Sequence, residues 1–136
     1  MNSFPLKIVT PDGLLYDGQA QELVVRSITG DLGILAGHVN CVAPLGMGEA
    51  MVLIDGKKRY AACIGGMVSV VNGDVTLVPT TFEWAENIDV NRAEASHQRA
   101  QKMLDNKTAS DVDIALAQAR LKRALIRTSV ATRKPM

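Results

Sequence analysis

Residues with metal-binding or redox chemistry are few. The chain holds two histidines and two cysteines. His38, Cys41 and Cys63 offer three metal-ligand types, but a structural zinc site takes four ligands, and no fourth one has a matching spacing. We therefore predict no metal site. We interpret His38 as a residue at a strand end and both cysteines as small, buried apolar residues.

Signatures of covalent catalysis and of phosphate transfer are also missing from the sequence. No GxSxG segment frames a serine nucleophile, and no GxxxxGK[ST] phosphate-binding loop is present. Gly46-Met47-Gly48 is too short for the GxGxxG dinucleotide motif. The sequence thus predicts no catalytic residue and favours a binding or structural role over that of an enzyme.

Three segments have distinctive chemistry. Gly30–His38 contains three glycines and predicts a strand with turns at both ends, which puts Asp31 at a loop tip. Glu83–Ala93 predicts the start of a helical region, and Arg120–Arg127 is strongly basic. Taken singly, they are also typical of a sandwich corner, a capped helix start and a solvated charged face.

Composition divides the chain into two units, residues 1–84 and 85–136. All 11 glycines and all five aromatic residues lie in the first unit, whereas the second has 10 alanines in 52 residues. The first unit has a net charge of −3 and the second +4, which gives +1 for the 136-residue chain. We expect two structural units of opposite charge, with the hinge at 81–87.

The first unit predicts an antiparallel β-sandwich or small barrel. Asp-Gly and Asn-Gly pairs recur, and they supply the positive φ angles of tight hairpins. The clearest hairpin has its turn at Asn72-Gly73, and Gly65-Gly66 predicts a bulge or a close backbone approach. Short apolar or alternating runs between the turns predict strands at 7–10, 23–28, 51–54, 60–64, 67–71 and 75–78.

The second unit predicts an antiparallel hairpin of two helices. Asp89 and Ser110 are suited to cap the two helix N-termini, and 105–110 is a polar connector. The apolar stripes are mostly alanine, so the hairpin buries little area and should be movable. They are predicted at 90, 93, 100, 103 and 104 on the first helix and at 114, 117, 121, 124 and 125 on the second.

The overall charge and hydropathy of the chain exclude several classes of protein. A pI of about 7.8 is below the value above ~9 that is typical of nucleic-acid-binding domains. No apolar run approaches the ~20 residues that span a bilayer. Residues 1–10 lack the basic start and apolar stretch of a signal peptide and the arginine-rich character of a transit peptide, so we expect a cytosolic location.

Five segments, in order, resemble the ε subunit of bacterial F-type ATP synthase. The resemblance extends from about Leu6 to Val130, and five segments in series are specific although each one is modest. The segments are VTPDGLLYDG, GDLGILAGH, CIGGMVSVVNGDVTLV, NIDVNRAEA and ALAQARLKRALIRTSV.

This resemblance implies a β-sandwich at 1–84 and a helical hairpin at 85–136, in a non-catalytic subunit of the central stalk. Such a subunit binds the γ subunit and the c-ring, turns with the rotor, and couples proton flow to ATP synthesis. Its hairpin folds onto the sandwich or extends into the catalytic head of α and β subunits, where it opposes ATP hydrolysis. The implied location is peripheral, at the cytoplasmic face of the cell membrane, with membrane contact only through the complex.

The resemblance also implies contact residues. By position, Asp31 and His38 would touch the polar loops of the c-ring. Arg120, Arg123 and Arg127, spaced along one helix face, would meet an acidic segment of the β subunit. These attractions should weaken as salt rises.

Some bacterial members bind ATP through an I/L-D-x-x-R-A motif, which residues 88–93 match. No cofactor is required, but ATP is a possible regulatory ligand. We expect three arginines, Arg92, Arg123 and Arg127, to meet near the hinge, where a polyphosphate would neutralise them. Leu116 stands where some ATP-binding members have a basic residue. The implied ATP-binding residues are Glu83, Ile88, Asp89, Arg92, Ala93, Arg99, Arg123 and Arg127.

Two other classes remain open on the sequence. One is a stand-alone ATP sensor, in which a ligand closes the hairpin onto the sandwich without any γ subunit or ring. The other is a small enzyme with an unrecognised site, which the lack of catalytic spacing disfavours. Copurification with γ distinguishes the stalk subunit from the sensor.

Overall fold

The described part of the chain forms two five-stranded sheets, a 3₁₀ turn and two α-helices. The computed structural model describes residues 2–106 and 110–133. The first sheet has the order β2–β1–β9–β8–β5, and the second has the order β10–β7–β6–β3–β4. The predicted sandwich followed by a helical hairpin is confirmed. The strands are β1 (Phe4–Thr10), β2 (Gly13–Ala20), β3 (Glu22–Ser27), β4 (Gly30–Leu35), β5 (Cys41–Pro44), β6 (Met47–Ile54), β7 (Lys57–Ile64), β8 (Met67–Val71), β9 (Asp74–Val78) and β10 (Thr81–Trp84).

The core lies between the two sheets. Strands β1, β3, β8 and β9 alternate between buried and more exposed side chains, because one face of each strand packs on the opposite sheet. All neighbouring strands pair antiparallel except β1 and β9, which are parallel. Burial is complete for Leu6, Ile8, Leu23, Val25, Ile34, Val52, Val68 and Leu77.

Two glycine-containing turns have the backbone conformation that their residues predict. Asn72 and Gly73 have φ angles of 51° and 88°, which is the left-handed turn that an Asn-Gly hairpin requires. Gly66 has φ 91°, and a Cβ built on it would lie 2.0 Å from the carbonyl oxygen of Val78. Gly66 therefore marks the close backbone approach that the Gly65-Gly66 pair predicts.

The expected hinge at 81–87 is wrong in its first half. Residues Thr81–Trp84 form β10, which pairs antiparallel with β7, so they belong to the sandwich. The chain leaves the sheet in a 3₁₀ turn at Ala85–Asn87. The Arg59 guanidinium lies 3.7 Å from the Trp84 ring centroid and pairs with Glu86, which fixes this exit. The sequence interpretation also missed strands β2 and β5.

Both helices begin where their caps predict. Helix α1 (Val90–Leu104) starts after Asp89, whose carboxylate accepts from the Arg92 N–H at 3.0 Å. Helix α2 (Asp111–Ala131) starts after Ser110, whose hydroxyl accepts from the Asp113 N–H at 3.1 Å. Part of the predicted connector, 107–109, lies outside the described residues. Neither helix combines the length and the hydropathy needed to cross a membrane.

Small side chains form the seam of the hairpin. The buried residues of this seam are Ala93 and Ala100 on α1 and Ala117 and Ala124 on α2. The apolar stripes predicted for the two helices include too many residues, because Val90, Met103 and Leu125 are exposed. Alanine pairs let the helices approach closely, and the larger residues at the edges of the stripes then face solvent.

The far end of α2 docks on the outer face of the second sheet. Val130 is fully buried, together with Ala62 of β7 and with Ala85 and Ile88 at the sandwich exit. Tyr60 and Ile126 pack around this cluster. A small apolar cluster thus holds this end of the hairpin on the sandwich, and the mobility of the hairpin stays a prediction.

The two cysteines differ in burial. Cys63 lies in the core, and burial raises the pKa of its thiol to about 12 from an ordinary 9.0. Cys41 is only half-buried, so its predicted burial is wrong. Cys41 is the first residue of β5, and its Sγ lies 3.9 Å from Nδ1 of His38.

We expect a thiol reagent at pH 8 to label Cys41 in the native protein and to reach Cys63 only after unfolding. The Cys41→Ser variant should then show no rapid labelling. Since unfolding lowers the pKa of Cys63, the stability that this thiol contributes is complete below pH 9 and is lost as pH rises towards 12. Rapid labelling of both thiols in the native protein would contradict the assignment.

Candidate functional site in the groove between the helices and the sandwich

The basic face of α2 turns towards β10. Residues 120, 123 and 127 are separated by three and four positions, so their side chains lie on one side of the helix. Arg120, Arg123 and Arg127 line a cavity of about 210 Å³ together with Glu83 of β10 and Ser96 of α1. The structure thus places the predicted basic stripe along a groove.

Glu83 and Arg127 form the central contact of this groove. Nε of Arg127 lies 2.8 Å from Oε1 of Glu83, and Nη2 donates to Oε2 at 3.2 Å. The two side chains are 21% and 37% exposed, so solvent screens the pair only in part. This contact ties the helical hairpin to the edge of the sandwich.

A second cavity continues the groove along the helices. It has a volume of about 530 Å³ and shares Ser96 and Arg120 with the first one. Arg99 and Asp113 add one charge of each sign to its wall, and Leu116 is part of its apolar lining. The two cavities together offer four guanidinium groups, which are the side chains best suited to hold phosphates.

The I/L-D-x-x-R-A segment has a structural role in this conformation. Ile88 packs in the cluster around Val130, Ala93 is fully buried in the helix seam, and the Asp89 carboxylate caps α1. Arg92 is exposed and is not among the residues that line either cavity. The structure therefore brings together Glu83, Arg123 and Arg127, with Arg99 in the adjoining cavity, and leaves residues 88–93 outside the groove.

Two findings from comparison with known proteins identify the family. The ATP synthase delta/epsilon chain β-sandwich model matches residues 3–85, and the long α-helix model of the same family matches 86–132. An ATP synthase epsilon chain from Bacillus velezensis is 43% identical over 131 residues, which is 96% of this chain and 98% of that one. One from Ruminococcus albus is 39% identical over 135 residues, 98% of this chain and 100% of its own length.

The chain belongs to the ATP synthase delta/epsilon chain family. The resemblance found in the sequence is thereby confirmed. Two solved structures share the fold: a chain of the Euglena gracilis mitochondrial ATP synthase has a TM-score of 0.82 at 21% identity, covering 93% of this chain and 80% of that one. A chain from the Tetrahymena thermophila central stalk and c-ring has a TM-score of 0.62 at 14% identity, with coverage of 94% and 96%.

In this delta/epsilon chain, Asp31 lies near the start of β4 and His38 lies three residues beyond its end. Asp31 is the second residue of the strand and pairs with Arg26 across it at 2.8 Å, so the expected loop tip is wrong. His38 follows the last residue of the strand, and its Nδ1 lies 2.8 Å from the Val39 carbonyl oxygen. Since Asp31–Leu35 alone extends about 13 Å, the two side chains belong to different ends of the sandwich.

The outer face of the first sheet carries an apolar patch. An apolar face on the sandwich is expected from the sequence, but its residues are not identified there. Val42, Met67, Val71 and Val78 are 46–61% exposed. Met67 lies opposite Pro44 on β5 and opposite Val78 on β9, which makes the patch continuous across three strands. The sequence signal for this patch is the two-residue period of β8 and β9, which assigns every second side chain to the outer face of the sheet.

Proposed function

We propose that this chain is the ε subunit of the central stalk of an F-type ATP synthase and has no catalytic role of its own. The observation that carries the proposal is the match of both family models, in order, over residues 3–132. Relatives named ATP synthase epsilon chain align over almost their whole length. Such a subunit turns with the rotor and couples proton flow to ATP synthesis.

The γ subunit is the proposed partner of the apolar patch, defined by Val42, Pro44, Met67, Val71 and Val78. Helix α2 covers part of the second sheet, whereas the patch lies on the outer face of the first one. A stable interface buries about 1,200–2,000 Å² and has an apolar centre. The patch supplies that centre, so the sandwich alone suffices for attachment.

The c-ring and the catalytic head are the other proposed partners. Asp31 is the proposed contact for the polar loops of the ring. His38, the other candidate contact, lies beyond the opposite end of β4, with its Nδ1 3.9 Å from Sγ of Cys41 on β5. The proposed location is the cytoplasmic face of the membrane, as a peripheral subunit with membrane contact only through the complex.

The proposed control of ATP hydrolysis depends on the positive charges of α2. In the docked hairpin Arg127 pairs with Glu83, and Arg120 and Arg123 face the same groove. When the hairpin extends, the same arginines become free to meet an acidic segment of the β subunit. Docked and extended forms therefore compete for one basic stripe, and any ligand that favours one form shifts the population.

ATP is the proposed regulatory ligand of the docked form. A triphosphate in the groove would accept bidentate bonds from Arg123 and Arg127, with Arg99 and Arg120 in reach of the adjoining cavity. The same groove would serve a stand-alone ATP sensor, the second candidate function. That candidate predicts an ATP-binding monomer with no affinity for γ.

Removal of residues 88–136 tests the two main roles at once. We expect the shortened chain to copurify with γ, because the apolar patch is intact, and to support ATP synthesis. ATP hydrolysis by the complex should rise, because no helix can extend into the head. The measurements are pull-down of γ and the two activities of reconstituted complexes.

A control variant separates attachment from regulation. Met67→Asp in the full-length chain places a charge at the centre of the apolar patch and should weaken γ binding while the core stays intact. Loss of γ binding on removal of the hairpin would overturn the role of the sandwich. Unchanged hydrolysis would show that this subunit is not inhibitory.

A further inference from the structure

A cluster of four charged side chains joins the region around Asp31 to the end of α2. Arg26, Asp31, Glu49 and Arg133 line one cavity of about 240 Å³ on the outer face of the second sheet. Two ion pairs lie within it, Arg26–Asp31 at 2.8 Å and Arg133–Glu49 at 3.2 Å. Hence the cluster contains two cations and two anions from three strands and the segment after α2.

Arg26 lies between the two acids. It is the cross-strand partner of Asp31 on β4, and on its other side it lies over Gly48 of β6, next in sequence to Glu49. A Cβ at position 48 would lie only 2.6 Å from the Cβ of Arg26, so the glycine gives the Arg26 side chain its space. Because Arg26 and both acids line the same cavity, we expect rotation about the side-chain bonds of Arg26 to bring its guanidinium to Glu49.

Arg133 anchors the end of the hairpin. It follows the C-cap residue Thr132 and lies three residues after the fully buried Val130. Besides its pair with Glu49, its guanidinium carbon is 5.4 Å from the Tyr60 ring centroid. Two outer-face residues of β6 and β7 therefore hold the segment that follows α2.

We propose that Arg26 is an exchangeable cation that links the occupancy of Asp31 to the docking of the hairpin. When a partner engages Asp31, Arg26 loses its anion and turns to Glu49, the other acid of the cavity. Glu49 is then shared between two guanidinium groups, and Arg133 is held less strongly. The identity of the partner as the c-ring rests on the proposed function, whereas the exchange itself is a property of the isolated chain.

The expected effect is modest and measurable. Arg26, Asp31 and Arg133 are each more than half exposed, and pairs of this kind change an equilibrium by up to about fivefold. A docked hairpin held by a small apolar cluster is sensitive to a change of that size. Full engagement of Asp31 should therefore raise the released-to-docked ratio about two- to fivefold.

Spin-label distances in the isolated full-length chain test the exchange. Labels at Lys57→Cys and Lys122→Cys report the distance between the sandwich and α2, since both positions are exposed. Cys41→Ser removes the accessible native thiol, and Cys63 stays because it is buried. Asp31→Asn imitates an engaged Asp31 by removing its charge, and Asp12→Asn, in the exposed turn between β1 and β2, is the matched control.

Asp31→Asn should raise the released population two- to fivefold, whereas Asp12→Asn should leave it unchanged. Adding Arg26→Met should return the Asp31→Asn chain to the wild-type ratio, because the competing cation is gone. An unchanged population in Asp31→Asn, or an increase that persists with Arg26→Met, would overturn the exchange. Because no γ subunit or ring is present, these results do not depend on the proposed function, which the γ pull-down tests separately.

Discussion

Gly66→Ala is expected to lower the free energy of unfolding of the sandwich by at least about 3 kcal/mol. The φ of 91° is strained for any residue with a side chain. The new Cβ would also lie 2.0 Å from the carbonyl oxygen of Val78 and 2.6 Å from Cα of Pro79, both of which are backbone atoms. Because backbone cannot rotate away as a side chain can, the strands must move apart.

The hydrogen bonds around this glycine show why the damage should spread. The Gly66 carbonyl oxygen accepts from the Leu45 N–H at 2.8 Å, and the Gly65 N–H donates to the Gly46 carbonyl at 3.0 Å. These bonds join the β5–β6 connection to the β7–β8 turn. A shift at Gly66 therefore disturbs both sheets of the sandwich.

Gly73→Ala is the matched control for Gly66→Ala. Gly73 has nearly the same φ, 88°, but a Cβ there meets no heavy atom within 4 Å. It should cost only the conformational strain, about 1–2 kcal/mol. Urea unfolding followed by the fluorescence of Trp84 measures both variants, and equal losses of stability would show that the close approach at Gly66 has no energetic weight.

Features set by local chemistry are the ones that the sequence predicted well. Asn72-Gly73 needs only its own backbone preferences to form a turn, and Asp89 and Ser110 cap helices with atoms three residues away. Gly65-Gly66 was also predicted, although the partner that makes it necessary, Val78, is remote in the chain. In each case the residue type itself carries the information.

Features set by distant partners were missed or misplaced. The sequence places β10 in the hinge although Thr81–Trp84 alternates polar and apolar residues, because four residues next to the helical unit are too few to indicate a strand until they pair with β7. Arg133 had no predicted role because its partner, Glu49, lies 84 positions away. The spacing of Arg120, Arg123 and Arg127 in the sequence puts them on one helix face. It does not show that Arg127 forms an ion pair with Glu83, which lies 44 positions away.

The arginines of the groove lead to the second large effect, on ATP affinity. Arg123→Ala should weaken ATP binding about 10–100-fold, because a charge-assisted bond worth about 1.5–3 kcal/mol is lost. Arg123→Lys should weaken it as well, since an ammonium cannot replace the bidentate fork. Arg92→Ala should have a smaller effect, because Arg92 lies outside the groove in the docked hairpin.

Lys122→Ala is the matched control, because it removes one positive charge from α2 at an exposed position outside both cavities. Titration calorimetry on the isolated chain compares the four variants with the wild type. The Glu83–Arg127 pair must open for a phosphate to reach Arg127, so the apparent ATP affinity is lower than the intrinsic affinity by the free energy of opening that pair. Equal affinity in all variants would place the nucleotide outside the groove. An absence of heat at millimolar ATP would leave the arginines as contacts for the catalytic head and Asp89 as a helix cap.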